Sequence, residues 1–189
     1  MYASAVKSQF RHFRKARICQ GDILRDLSFI SGEPLSNVEA EVEISDDSTY
    51  WIVMSQDCDL NQDFNQRKET KTRDSKNIRS ILICPAYPAR KFYSGQHIPG
   101  WALETFNDKK VKKIIRNDEY KRYHYLKGDE DLGVPELVID FKHFYTIPVE
   151  VAYRQRSNAY LVTLNELHRE DLSHRFSHFL SRIGLPDVV

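Results

Sequence analysis

An apolar run at residues 51–54 ends abruptly in the segment SQDCD, which carries Asp57, Cys58 and Asp59. Carboxylates and a thiol that gather at the end of a buried strand can act as catalytic groups or as ligands of a metal ion. We therefore take Asp57, Cys58 and Asp59 as candidate catalytic residues. Ser55 and the two aspartates are expected to line a groove at the rim of the fold.

Three interpretations of SQDCD remain open. A nucleophilic Cys58 would need a nearby cation or helix N-terminus to lower its pKa, whereas the flanking carboxylates act in the opposite direction. A divalent metal could bind Asp57 and Asp59, and this is the only cofactor that the sequence leaves open. In the third interpretation the segment is a turn whose polar side chains satisfy backbone amides. The acidic charge favours a donor nearby, and either Arg17 or Arg25 is expected to supply it.

A second set of residues suits a polyanionic ligand. The first 17 residues carry five Lys and Arg and no acid, and residues 108–125 carry seven against three acids. Interleaved basic and aromatic side chains suit single-stranded nucleic acid, through phosphate contact and base stacking. They suit a protein interface equally well. The predicted nucleic-acid-binding residues are Arg17, Arg25, Arg90, Lys91, Lys112, Lys113, Arg116, Lys121, Arg122 and Tyr123.

Asp140 is the other residue that the sequence marks as unusual, because it stands among apolar neighbours in ELVIDFKHF. A buried carboxylate without a partner would be strongly unfavourable. Asp140 is therefore expected either to face solvent or to pair with an arginine such as Arg25 or Arg122.

The elements that must position these groups are mainly short strands. Strands are predicted at residues 18–30, 38–44, 50–55, 78–88, 121–126 and 136–154 (one or two in the last), and a loop at residues 61–77. The hydrophobic period changes to a helical one at residues 92–121, which predicts a helical insertion, and again at residues 169–183, which predicts a closing helix. This order predicts a single domain over residues 1–189. Its fold class is mainly β with helices (α+β), a small antiparallel β-barrel rather than a doubly wound sheet.

Composition excludes several classes of protein. The chain of 189 residues has a net charge of +1 and 41% hydrophobic residues, as expected of a globular domain. Its apolar runs are too short to span a bilayer, and three cysteines do not form a disulfide framework. Because the first residues lack the apolar stretch of a signal peptide, a cytoplasmic location is predicted.

Several segments together resemble the PemK/MazF-like family of toxins. GDI opens the first strand, WIVMS and ILICPA form core strands, and ELVIDFKHFYTIP precedes a last strand and a C-terminal helix. The resemblance implies an SH3-like antiparallel barrel and a bacterial endoribonuclease that grips single-stranded RNA and works as a dimer held by an antitoxin. The SQDCDL and RIGLP segments also resemble uncharacterised bacterial proteins, which implies no known chemistry.

The catalytic positions of the PemK/MazF-like pattern are altered here. Where the family has an arginine just before the second core strand, this chain has Thr49 and Tyr50, and Ala86 replaces a serine or threonine after Pro85. A fold can persist without its chemistry. We therefore expect an RNA-binding protein of toxin–antitoxin or antiviral defence type with weak or absent cleavage; any enzymatic activity would be that of an endoribonuclease. The alternative is a non-enzymatic interaction module that partners a larger bacterial defence or signalling protein.

Overall fold

A computed structural model describes residues 8–13, 16–28, 50–69 and 74–181 of the chain. The strands in this part are β1 (Phe10–Arg11), β2 (Asp22–Arg25), β3 (Tyr50–Val53), β4 (Ser80–Pro88), β5 (Tyr123–Leu126), β6 (Leu137–Asp140), β7 (Tyr145–Pro148) and β8 (Tyr160–Leu164). The α-helices are α1 (Asp57–Gln66), α2 (Ala89–Tyr93), α3 (Lys109–Arg116), α4 (Val149–Ala159) and α5 (Glu166–Leu180). None of the described helices has the length and apolar character needed to cross a bilayer.

The strands form one antiparallel sheet in the order β1-β8-β2-β3-β4-β6-β5, and β7 also pairs with β4. The sheet curls into a half-barrel and carries the helices on its surfaces. The prediction of an α+β protein built on a curved antiparallel sheet is confirmed at this level. Strand and helix do not alternate as they would in a doubly wound fold.

β4 is the strand that organises the sheet, because it changes partner along its length. Residues 80–83 pair with β7 and residues 86–88 pair with β6, so Pro85 falls between the two partners. Proline lacks the N–H that a continuous ladder would use. The strand predicted at residues 78–88 begins at Ser80, runs through Pro85 and ends at Pro88.

Alternating side chains of the strands divide the core between the two faces of the sheet. Ile52 packs in the cluster that contains Phe176 of α5, whereas its neighbour Trp51 packs with Leu60 of α1 and Ala152 of α4. This division follows from the two-residue period of a strand. A third cluster joins α2 and α3 to β5 and β6.

Two predicted elements are wrong and one is partly right. Residues 61–66 were predicted as loop but belong to α1, and residues 74–76 form a short 3-10 helix. Residues 149–154 were predicted as strand but begin α4, whose Val149, Ala152 and Ala159 are buried. The helical insertion at 92–121 contains the end of α2 and all of α3, while residues 94–108 are not helical.

The remaining predictions differ from the structure mainly in their limits. Only Asp22–Arg25 of the predicted strand 18–30 is a strand, since residues 20 and 21 form a turn. The closing helix begins at Glu166 rather than at residue 169 and is described as far as Leu180. The predicted strand at 38–44 lies outside the described residues.

Asp22, at the start of β2, is a fully buried carboxylate. It accepts hydrogen bonds from the backbone N–H of Cys19 (2.8 Å) and the hydroxyl of Thr163 (2.6 Å). Burial disfavours its charged form and raises its pKa to about 6, although both hydrogen bonds act in the opposite direction. Through these hydrogen bonds Asp22 connects the turn before β2 to β8. Because its pKa is raised, it keeps its proton more readily in the folded chain than in the unfolded one.

This raised pKa predicts a dependence of stability on pH. Between about pH 5 and pH 7 the unfolded Asp22 is ionised while the folded one loses its proton, so the wild type should lose about 1 kcal/mol of unfolding free energy. Asp22→Asn has no such titration. Urea unfolding of both proteins at several pH values should show the variant gaining on the wild type as pH rises, and a pH-independent difference would contradict the prediction.

Candidate nucleic-acid interface

The SQDCD segment forms the start of α1, where Asp57 is the first helical residue. Its two carboxylate oxygens accept hydrogen bonds from the guanidinium of Arg17 at 2.9 and 2.8 Å. The backbone N–H of Gln20 donates to the same carboxylate at 3.2 Å, and Arg169 lies at 3.7 Å. Burial opposes ionisation of Asp57, but these bonds, led by Arg17, outweigh it and lower its pKa. The expected proximity of Arg17 is confirmed.

The other members of this segment make contacts of their own rather than with Asp57. The hydroxyl of Ser55 accepts a hydrogen bond from the backbone N–H of Leu82 at 2.7 Å, so it completes the sheet. Cys58 and Asp59 are exposed, and their side chains contact each other at 3.6 Å. The segment thus shares the amide-satisfying role of the turn interpretation, although it begins a helix rather than forming a turn.

Cys58 does lie in the first turn of α1, but it stands between Asp57 and Asp59, and its thiol donates to Gln56 and Asp59 rather than contacting a cation. Neither catalysis nor metal binding by SQDCD therefore gains support from this arrangement. The guanidinium of Arg17 donates to both carboxylate oxygens of Asp57. Among the described residues, no cluster of three metal-ligating side chains includes Asp57, Cys58 or Asp59. Arg25, the other expected donor, is exposed and pairs with Asp26 at 3.2 Å.

The basic residues of α2 and α3 line an open pocket of about 340 Å³. Its lining includes Arg90, Tyr93, Ser94, Lys112, Arg116 and Glu136. Three of the predicted nucleic-acid-binding residues therefore meet in one cavity. Lys91 and Lys113 lie beside them on the same two helices.

The local sequence explains how α3 presents its cations. Asp108 caps the helix, since its side chain accepts a hydrogen bond from the backbone N–H of Lys110 at 2.6 Å. Ile115 is fully buried against the sheet, while the lysines at 109, 110 and 113 are exposed. The helix therefore has one apolar face and one strongly basic face.

The pocket carries more positive than negative charge. Arg116 pairs with Glu136 at 3.1 Å, and the hydroxyl of Tyr125 donates to Glu136 at 2.6 Å. The ammonium of Lys112 lies 5.2 Å from the ring centre of Tyr93. Arg90 is exposed and has no ion-pair partner within the described ranges. Because one carboxylate faces three cations, the cavity suits an anionic group such as a phosphate.

The remaining predicted contact residues lie elsewhere or serve the fold. Arg122 donates two hydrogen bonds to the buried Asp140, at 2.8 and 2.6 Å, which confirms one of the two predicted pairings and excludes Arg25. Tyr123 is 6% exposed and packs in the core, while Lys121 is exposed on the turn before β5. Arg17 is buried against Asp57, so it is not free to contact a ligand.

Sequence reasoning missed Glu136 and Ser94 as parts of the pocket. Neither residue belongs to a basic or aromatic run, and both reach the cavity only because β6 and the end of α2 meet beside α3. No local signal in the chain could have found them.

Comparison of the chain with protein-family models, with curated proteins and with solved structures gives no match. The resemblance to the PemK/MazF-like barrel therefore stays a prediction. The interpretation of this protein therefore depends on two structural features, the curled antiparallel sheet and the basic pocket between α2 and α3.

Proposed function

We propose that this protein binds single-stranded nucleic acid, in particular RNA, through the pocket between α2 and α3. The observation that carries the proposal is the meeting of Arg90, Lys112 and Arg116 around a cavity of about 340 Å³. Phosphate contacts supply most of the affinity of such proteins, and cations held in a concave site are suited to them.

The segments that precede and follow α3 in the chain carry exposed rings on which bases can stack. Trp101, in the segment between α2 and α3, is 63% exposed, and Tyr120, shortly after α3, is 42% exposed. Stacking on such rings tolerates any base, because every base has an aromatic face. A backbone held by α2 and α3 with bases against exposed aromatic rings is the arrangement that we propose.

The proposal retains the PemK/MazF-type, SH3-like barrel as its structural class, and a toxin–antitoxin or antiviral defence role as its context. It supports binding in preference to cleavage. Ala86, at the position where the resemblance expects a serine or threonine, is fully buried and paired with Tyr50 in the sheet. Neither residue supplies the proton-transfer and charge-stabilising groups that RNA cleavage needs.

Reversing two charges of the pocket should weaken RNA binding strongly. We expect Arg90→Glu/Lys112→Glu to lower the affinity for a single-stranded RNA oligonucleotide by at least about tenfold, because two phosphate contacts become repulsive. The slope of log affinity against log salt concentration, which is negative, should become less steep by about 1.4 for two lost contacts. Fluorescence anisotropy at several salt concentrations measures both quantities.

The matched control is Lys127→Glu/Lys142→Glu, which makes the same change of charge at two exposed positions outside α2 and α3. It should keep most of the affinity. An equal loss in both double variants would show that net charge rather than the pocket drives binding. Unchanged affinity in Arg90→Glu/Lys112→Glu would contradict the proposal and favour the protein-interaction module, which a co-purifying protein partner would then identify.

A further inference from the structure

A second group of side chains converges where the turn after α3, strand β5 and helix α5 meet. Asp118, His124 and Asp171 each offer one donor atom, and these atoms all lie within 4.8 Å of one another. The three residues come from three separate elements, so the fold rather than a local run of acids brings them together. They lie outside the pocket described above.

His124 provides an independent indication of a ligand. It is 3% exposed, yet its Nδ1 atom has no hydrogen-bond partner in the described part of the chain. The nearest acid is Asp118, whose Oδ1 lies 3.6 Å from Nδ1, beyond hydrogen-bond distance. A buried polar atom without a partner is unfavourable, and a bound metal ion would satisfy it.

The surrounding contacts hold Asp118 in place. Its backbone has a left-handed φ of 57°, and its Oδ1 atom accepts a hydrogen bond from the backbone N–H of Tyr125 at 2.8 Å. Arg175 donates to the carbonyl oxygens of Asp118, Tyr120 (3.2 Å) and Tyr123 (2.7 Å). The turn is therefore fixed from both sides, as preorganised ligand sites require.

Arg175 is also the cation that a metal ion would face, since it lies 3.5 Å from Oδ1 of Asp118. Its guanidinium is largely committed to backbone carbonyls, and the carboxylates of Asp118 and Asp171 outnumber it. A dication would thus enter a cluster with one excess negative charge. The two carboxylates provide that negative charge, and the imidazole of His124 provides a nitrogen donor.

We propose that His124, Asp118 and Asp171 bind a divalent transition-metal ion of the zinc class. One imidazole nitrogen and two carboxylate oxygens are ligands that Zn²⁺ and Co²⁺ accept, whereas Mg²⁺ and Ca²⁺ prefer oxygen alone. With three protein ligands, one coordination position of the ion remains for water or for an anion. The ion would join α5 to the turn after α3, beside the strand whose Tyr125 contacts Glu136 of the pocket.

The site does not depend on the proposed function, so its test reads metal binding alone. Full-length, tag-free protein is treated with a chelator and titrated with Zn²⁺ against a chromophoric competitor, and with Co²⁺ by visible absorption. We expect one ion per chain. Asp171→Asn should weaken binding by on the order of 100-fold, because even the loss of a group that only orients a ligand lowers metal affinity by about 10- to 100-fold.

Two matched variants make the result specific. Glu170→Gln alters the neighbouring exposed acid of α5 and should bind metal like the wild type. His178→Ala removes one of two exposed histidines, His174 and His178, that lie one turn apart on the same helix, and should also leave binding unchanged. Asp171 itself is exposed, so Asp171→Asn should retain the far-ultraviolet circular dichroism of the wild type.

A wild type that takes up neither Zn²⁺ nor Co²⁺ stoichiometrically would overturn the proposal. Undiminished affinity in Asp171→Asn, or a loss that follows His178→Ala instead, would overturn it as well. His124→Gln removes the buried imidazole ligand. If this variant takes up as much metal as the wild type, the site is excluded.

Discussion

Replacement of Arg122 by methionine is expected to lower the free energy of unfolding by about 3–5 kcal/mol. Asp140 is fully buried in β6, and Arg122 donates to both of its oxygens, at 2.8 and 2.6 Å. His143 approaches the same carboxylate at 3.2 Å, but burial lowers the pKa of His143, so Arg122 is the cation that balances Asp140 in the wild type. The variant would therefore leave a charged group in the core without its partner.

Urea unfolding of Arg122→Met beside Lys121→Met measures this effect. Lys121 is the exposed neighbour and has no acid partner in the part of the chain that the structure describes, so its replacement should change stability by no more than about 0.5 kcal/mol. The double variant Arg122→Met/Asp140→Leu should regain part of the loss, because it removes both charges. Equal stability of Arg122→Met and Lys121→Met would show that the pair is not needed for folding.

The Arg122–Asp140 pair illustrates what the sequence could predict. An acid among apolar residues must either face solvent or pair with a cation, and this requirement predicted an arginine as the partner of Asp140 if the acid is buried. The choice between Arg25 and Arg122 depended on which strands become neighbours. That arrangement is a property of the whole sheet, and no local pattern encodes it.

Helix α1 shows why another part of the prediction was wrong. The helix has no side-chain hydrogen bond at its N-cap, Gln56, and few apolar residues, so the usual signals of a helix are absent. Its stability comes from tertiary contacts. Leu60 is fully buried, and the buried Asp63 accepts bonds from Arg67 (2.8 Å) and from the backbone N–H of Ile78 (3.0 Å).

The two candidate sites differ in the same way. The cations of α3 lie close together in the chain, and their basic run predicted part of the pocket. Asp118 and His124 are six residues apart, but Asp171 follows 47 residues later and the three form no spacing motif, so only the fold reveals their proximity. A basic run on one helix can be found in a sequence, whereas side chains that come together from separate elements require the structure.

Replacement of Asp57 by alanine is expected to lower the free energy of unfolding by about 3 kcal/mol. The change leaves Arg17, which is 7% exposed, without the carboxylate that accepts its two hydrogen bonds. It also leaves the backbone N–H of Gln20 without its acceptor and removes a negative charge from the N-terminus of α1. Because Asp57 is partly exposed, water can solvate some of these groups, and the estimate lies at the lower end for a broken buried pair.

Asp59→Ala is the matched control, since Asp59 lies in the same helical turn and carries the same charge but is exposed and has no cation partner within the described residues. Its stability should remain within about 0.5 kcal/mol of the wild type. Urea unfolding of the two variants then separates a structural carboxylate from a dispensable one. Similar stabilities would contradict the assignment of Asp57 as the acceptor that joins Arg17 and Gln20 to α1.

The Asp59→Ala variant also tests whether SQDCD has any catalytic role. Single-stranded and structured RNA are incubated with wild type and Asp59→Ala, with and without Mg²⁺ or Mn²⁺, and neither protein is expected to cleave them. Carboxylates repel phosphate unless a metal intervenes, and Arg17 already neutralises Asp57. Robust cleavage by the wild type that is lost in the folded Asp59→Ala variant would make this segment an active site. Cleavage that both proteins share would place the chemistry elsewhere in the fold.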